Sequence, residues 1–159
     1  MAEFARQVRD RHCGGVSERS GFFSIRFSAD PVQLVFFRAG LDRWLRELEW
    51  PEAERVDMLL AVSEASGNAV DHAYLGGDAG EVEVTGRLVV GATERRIVVV
   101  VRDHGRWRAD HGGDGFGFTT VRACTARLRI RHDDDGTVVT MNSRPVPLVT
   151  GGVSGCAGC

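Results

Sequence analysis

Residues 58–74 constrain the fold of this chain more than any other stretch, because they combine a helical period with an unusual polar content. Their apolar residues recur at intervals of three or four positions, which is the spacing of one buried helical stripe. That stripe consists of Met58, Val62, Ala65, Ala69 and Ala73. The pattern predicts an amphipathic helix with one buried face.

Three polar residues stand beside the stripe. Glu64, Asn68 and His72 are four residues apart and therefore project in nearly one direction. A carboxylate and a carboxamide one turn apart suit a general base and a metal ligand, although an exposed polar face would look the same. Gly67 and Asn68 cost the helix about 1–1.5 kcal/mol relative to better helix formers. We therefore expect that Gly67 and Asn68 are kept in the helix for a functional reason.

Composition narrows the class of protein. The chain has 159 residues, a formal charge of −2 and ordinary apolar and charged fractions, as expected for one globular domain. It contains no lysine, which excludes a P-loop and a lysine Schiff base. The longest apolar run, Ile97–Val101, is far shorter than the roughly 20 residues of a membrane span. We expect a cytoplasmic protein that binds neither membrane nor nucleic acid directly.

The chain is predicted to form one domain over residues 21–143, between a flexible arm (1–20) and a flexible tail (144–159). Asp30-Pro31 is an N-cap followed by proline at the first helical position, and Pro51 opens the second helix. Period and turn composition predict the remaining elements. These are strands at 22–27, 81–90, 96–102, 128–132 and 137–142, and helices at 31–47, 51–74 and 116–126.

Strands joined by short turns favour antiparallel pairing, and helices grouped between them favour coverage of one sheet face. The predicted fold is therefore α+β, a two-layer α/β sandwich. A doubly wound fold does not fit, because strands and helices do not alternate regularly.

Two further motifs lie between the predicted elements. Asp103-x-Gly105 ends a buried strand, where a carboxylate can accept a hydrogen bond from an exocyclic amine and glycine allows a flat base to approach. Gly115-x-Gly117 opens a helix, and backbone N–H groups at a helix N-terminus bind phosphate. Each motif is weak alone, since Asp-x-Gly is also a common turn.

In order and spacing, Glu64-x-x-x-Asn68, Asp103-x-Gly105 and Gly115-x-Gly117-Phe-Thr resemble the nucleotide-binding signature of the GHKL (Bergerat-fold) ATPases. Within that superfamily the chain resembles the anti-sigma factor serine/threonine kinases over roughly Phe22 to Asn142. The Gly-Phe-Gly-Phe-Thr form of the third motif and the closing Gly-Thr-Val-Val strand are similar to that branch.

The resemblance implies a role for each motif residue. Asn68 would hold magnesium, Glu64 would act as general base, and Asp103 with Gly105 would bind adenine. The third motif would hold the ATP phosphates. Its implied binding residues are Gly115, Gly117, Phe118 and Thr119. Arg106, Arg108 or Arg122 would neutralise phosphate charge, and the sequence does not choose among them.

The resemblance also implies partners. A serine or threonine on a small anti-anti-sigma (STAS-type) protein would be the substrate, and an RNA polymerase sigma factor would be bound by a homodimer of the kinase. A nucleotide-gated module that sequesters a regulator without phosphorylating it is the alternative. The catalytic domain of a two-component histidine kinase is disfavoured, because no helical hairpin with a phospho-accepting histidine precedes the domain.

The terminal cysteines are not explained by the resemblance. His12, Cys13, Cys156 and Cys159 could together provide four zinc ligands if the termini met, or the thiols could form a redox switch. Reduced cysteines at two flexible ends are the favoured interpretation. Cys124 is expected to be a small core residue.

Overall fold

The computed structural model describes residues 21–72, 80–105 and 116–148. These residues form three helices and six strands. In chain order the elements are β1 (Phe22–Ser28), α1 (Pro31–Glu47), α2 (Glu52–His72), β2 (Glu81–Val90), β3 (Glu94–Asp103), α3 (Phe116–Cys124), β4 (Arg127–Asp133), β5 (Gly136–Asn142) and β6 (Val146–Pro147). The predicted arm, residues 1–20, lies outside the described residues.

The strands form one antiparallel sheet in the order β1-β2-β3-β5-β4, with β6 paired to β3. β2, β3 and β5 occupy the middle, so β3 is bonded on both sides along its C-terminal half. The helices α1 and α2 lie against the sheet, and α3 packs on α2. The prediction of an α+β fold with a mostly antiparallel sheet is confirmed.

The core lies between the helices and one face of the sheet. α1 buries Phe37, Leu41, Trp44 and Leu45, as its period predicts. The Asp30 side chain accepts a hydrogen bond of 2.9 Å from the backbone N–H of Val32, which is the expected N-cap. α2 also buries its apolar stripe, and it belongs to the helical layer that packs on the sheet. Its described stripe residues, all buried, are Met58, Val62, Ala65 and Ala69.

The junction between α1 and α2 is held by a buried arginine from β3. Arg95 donates hydrogen bonds of 2.6 Å to the carbonyl of Leu48 and 2.8 Å to that of Glu49. These bonds satisfy carbonyl groups left over where α1 ends. The guanidinium also lies 5.1 Å from the ring centre of Trp50, within cation–π range. The start of α2 is thereby tied to the sheet.

Most observed boundaries lie within two residues of the predicted ones, and two differences have a clear structural basis. α3 ends at Cys124 rather than at residue 126, because the Thr125 hydroxyl donates to the carbonyl of Val121 and the Ala126 N–H already bonds to Asn142. Val146–Pro147 pairs with the start of β3, within the segment expected to be a tail. Two residues carry too little periodicity to predict a strand. Cys124 is buried, as expected.

None of the three described helices combines the length and the apolar composition that crossing a membrane requires.

Candidate nucleotide-binding site

α2 places Glu64 and Asn68 beside its buried stripe. Both side chains are half-buried, while Ala65 and Ala69 next to them are buried. Packing of the alanine side against the core therefore fixes the direction in which the carboxylate and the carboxamide project. Alanines also keep α2 close to its neighbours, and α2 contacts both β3 and α3.

A contact from α1 fixes the same turn of α2. The Arg38 Nε donates a hydrogen bond of 3.0 Å to the hydroxyl of Ser63, the residue before Glu64. Ser63 is buried, so this bond satisfies a polar group that would otherwise cost free energy. Sequence reasoning did not find this pair, because residues 25 positions apart on different helices show no common period.

Asp103 is the last residue of β3 and is buried. Its Oδ1 accepts a hydrogen bond of 3.0 Å from the backbone N–H of Gly105, which is also buried. Burial raises the pKa of the Asp103 carboxyl, and backbone N–H donors from Gly105 and Thr137 act in the opposite direction. The carboxyl is thus held in one orientation at the end of a central strand, and buried carboxyls with a perturbed pKa are enriched at functional sites.

Gly136 allows β5 to begin beside this carboxyl. Its φ is +125°, a conformation that side chains rarely adopt, and a Cβ there would lie 2.0 Å from the Asp103 carbonyl oxygen. The sequence predicts a turn that ends at this position, and the resemblance places the glycine at the start of the closing Gly-Thr-Val-Val strand. The structure shows that a glycine is needed because two backbones meet there.

The third motif lies at the start of α3. Gly117 belongs to the first turn of this helix, Phe118 is half-buried against the core, and Thr119 is exposed. The packing of Phe118 orients the helix start. Arg122 lies in the last turn, at the opposite end of the helix. Gly115, Arg106 and Arg108 lie outside the described residues.

Arg144 joins the far end of α3 to α2. It donates hydrogen bonds of 2.6 Å to the carbonyl of Ala123 and 2.5 Å to the carboxylate of Asp57. A cation at a helix C-terminus also interacts favourably with the helix dipole. The orientation of α3 relative to the helix that carries Glu64 and Asn68 is therefore held at both ends.

The described site residues consequently lie on three elements that pack together. α2 carries Glu64 and Asn68, β3 ends in Asp103, and α3 begins around Gly117, with α2 in contact with both other elements. The donor set fits a magnesium nucleotide: a fixed, buried carboxyl for an exocyclic amine and a half-buried amide oxygen for a hard cation. Among the described residues, no three His, Cys, Asp or Glu side chains form a metal-binding group. The zinc hypothesis at His12, Cys13, Cys156 and Cys159 lies outside them.

Comparison with known proteins identifies the class of this fold and site. Residues 27–143 match the model of the histidine kinase-like ATPase domain family, and the chain belongs to that family. The match spans all three motifs that resemble the GHKL nucleotide-binding signature. A domain of this family binds ATP.

Two relatives belong to one branch. The chain is 32% identical over 90 residues to the serine-protein kinase RsbW of Bacillus pumilus, a match that covers 57% of this chain and 54% of that protein. Its fold is similar to the crystal structure of the RsbU and RsbW domains of Rv1364c from Mycobacterium tuberculosis. That likeness has a TM-score of 0.63 and 28% identity, and it covers 81% of this chain and 34% of the other. The chain thus matches about half the length of the curated relative.

Proposed function

We propose that this protein is an ATP- and magnesium-dependent serine/threonine protein kinase that also acts as an anti-sigma factor. The observation that carries the proposal is the placement of Glu64 and Asn68 on one side of α2, which packs against the strand ending in buried Asp103. The similarity to a protein named serine-protein kinase supports the choice of phosphoryl acceptor.

Asp103 and Gly105 are the proposed adenine site. The Asp103 carboxyl accepts hydrogen bonds from the backbone N–H groups of Gly105 and Thr137, and its remaining lone pairs can accept one from an exocyclic amine. Gly105 has no side chain, so a flat ring can approach its backbone closely. Gly115, Gly117, Phe118 and Thr119 are the proposed phosphate segment, with backbone N–H groups at the start of α3 as donors.

Asn68 is the proposed magnesium ligand. A bound magnesium ion supplies charge neutralisation on the phosphates, and the Asn68 amide oxygen is a suitable hard ligand for it. Glu64, one turn earlier, would accept the proton of the substrate hydroxyl as that oxygen attacks the γ-phosphorus of ATP and ADP leaves. The Arg38–Ser63 hydrogen bond restrains the helical turn that carries Glu64.

The proposed substrate is a serine or threonine on an anti-anti-sigma (STAS-type) protein, and the proposed second partner is a sigma factor bound by a homodimer in the cytoplasm. Similarity to RsbW over 90 residues supports these partners, and none of them is specified by the nucleotide site itself.

The test is phosphate transfer from labelled ATP to a candidate anti-anti-sigma protein. Glu64→Ala should reduce the transfer rate by about a thousandfold or more, because proton acceptance and positioning are both lost, while ATP binding persists. Asp71→Ala removes an exposed carboxylate from the same helix and is the matched control. A normal rate of phosphate transfer by Glu64→Ala would contradict the assignment of Glu64 as the general base. Sigma-factor binding by a wild-type protein that transfers no phosphate would instead support the nucleotide-gated module.

A further inference from the structure

The sheet has a second face that the three helices do not cover. Odd-numbered residues of β3 from 95 to 103 are buried, and the even-numbered residues project to the opposite side together with the residues paired to them. We call this side the bare face. It carries seven arginines from four strands of the sheet, each exposed to solvent. They are Arg26, Arg87, Arg96, Arg102, Arg127, Arg129 and Arg131.

Few of these arginines are neutralised on the protein itself. Arg26 forms an ion pair of 2.6 Å with Glu83, and Glu83 also faces Arg102 across the sheet. The other glutamates of the bare face are Glu81 and Glu94. Within the described part of the chain, Arg127, Arg129 and Arg131 form no ion pair. The face is therefore positive although the whole chain has a formal charge of −2.

The arginines of β4 form a row along the edge strand. Arg127, Arg129 and Arg131 alternate with Leu128 and Ile130, which pack against the core. Alternate residues of a strand are about 6.5–7 Å apart, so the Cα atoms of the three arginines are evenly spaced along the edge. Because the sheet fixes their backbone, a partner has only the arginine side chains to order when it binds.

The middle of the bare face is apolar. Val98 and Val100 of β3 and Val138 of β5 are half-buried there, at the centre of the sheet. Arg129 pairs through Thr140 with Val100, and Arg131 pairs through Val138 with Arg102. An apolar centre with arginines around it is the composition of a protein–protein interface, in which arginine is enriched.

We propose that the bare face is a docking surface for an acidic protein surface with an apolar centre. The charge of the arginines is complementary to carboxylates, and the three valines would gain from burial against apolar side chains. Nucleic acid fits less well, because the centre of this face offers valine and threonine rather than the aromatic rings on which bases stack. A second copy fits less well too, since like charges would oppose each other.

This surface is distinct from the proposed nucleotide site. Glu64 and Asn68 lie on a helix that covers the other face of the sheet. Docking of the acidic partner therefore does not depend on the proposed kinase activity, and failure of one proposal leaves the other intact.

The test uses two labelled peptides of equal length and charge with the full chain. One is an amphipathic helix of glutamate and leucine, and in the other serine replaces leucine. The leucine peptide should bind more tightly, and added salt should weaken both. Arg129→Glu should weaken binding by about tenfold, because an attraction becomes a repulsion. Arg43→Glu, an exposed arginine on α1, is the matched control and should change nothing.

Val100→Ser tests whether the apolar centre contributes to peptide binding in addition to the charge of the arginines. It should weaken binding of the leucine peptide and leave the serine peptide unchanged, with circular dichroism confirming that each variant is folded. The proposal is overturned if a DNA duplex or a phosphatidylglycerol vesicle binds more tightly than the leucine peptide and is lost in Arg129→Glu. A change of oligomeric state in Arg129→Glu would also overturn it, because the face would then join two copies.

Discussion

The two faces of the sheet place different physical constraints on their side chains. Along β3, Val99 and Val101 are buried beneath the helices, whereas Val98 and Val100 are half-buried on the bare face. The covered face is constrained by volume, because close-packed interiors tolerate little change in side-chain size. The bare face is constrained by charge and by what binds there. Four consecutive valines thus serve two purposes that a hydropathy average cannot separate.

Carboxylates show the same contrast. On the covered side, burial raises the pKa of Asp103 at the end of β3. On the bare face, the hydrogen bond from Arg26 lowers the pKa of Glu83, which water also reaches. A buried, oriented carboxyl suits recognition of a ligand, while a solvated ion pair contributes little to stability.

The largest effect is expected from placing one charge on each side of β3. Val99→Asp buries a carboxylate without a partner in the core and should unfold the protein or cost more than about 4 kcal/mol. Val100→Asp leaves the carboxylate near solvent on the same face as Arg102, two positions along β3, and should cost less than about 1 kcal/mol. Urea denaturation of both variants measures the difference.

Equal losses in the two variants would contradict the division of the sheet into a covered and a bare face. Val99→Ala is the control for lost volume and should cost roughly 1.5–3 kcal/mol, since it removes buried carbons without adding charge. The excess cost of Val99→Asp over this value reports desolvation of the carboxylate.

Much of the fold can be predicted from hydrophobic periodicity, capping residues and turn composition. Asp30, Pro31 and the stripes of α1 and α2 define two helices, and composition places the turn before Gly136. Motif spacing and the family resemblance predict the site residues, and the structure shows Asp103 buried at a strand end. Contacts between distant segments carry no such signal. The Arg38–Ser63 bond, the Arg95 cap and the pairing of β6 all depend on tertiary geometry that no local pattern encodes.

The second effect concerns Asp103. Asp103→Asn keeps an oxygen for the Gly105 N–H but replaces the other oxygen with an amide donor. That donor would face the exocyclic amine of adenine, so ATP affinity should fall by about tenfold or more. Equilibrium binding of a fluorescent ATP analogue measures the loss. An unchanged affinity would remove Asp103 from the adenine site.

The stability of the same variant relative to wild type should increase as pH rises. Because burial raises the folded-state pKa of Asp103 above its ordinary value of 3.8, the folded protein binds more protons than the unfolded chain in that window. Wild-type stability from this group is therefore full below pH 3.8 and is lost as pH rises through the folded pKa. Asp103→Asn does not titrate, so its unfolding free energy should increase relative to wild type over that pH range. A pH-independent difference would contradict the raised pKa.

The smallest expected effect on stability comes from Gly67, a residue on the covered side that is not closely packed. Gly67 belongs to α2, yet a Cβ there would meet no atom of the described residues within 4 Å, whereas at Gly86 it would lie 2.9 Å from the Trp44 ring. Gly67→Ala should therefore stabilise the protein by up to about 1 kcal/mol, while Gly86→Ala should destabilise it. Thermal unfolding separates the two. If Gly67→Ala raises stability but weakens ATP or partner binding, the glycine is kept for close approach of a ligand. If it lowers stability, the space beside α2 is filled by another part of the chain.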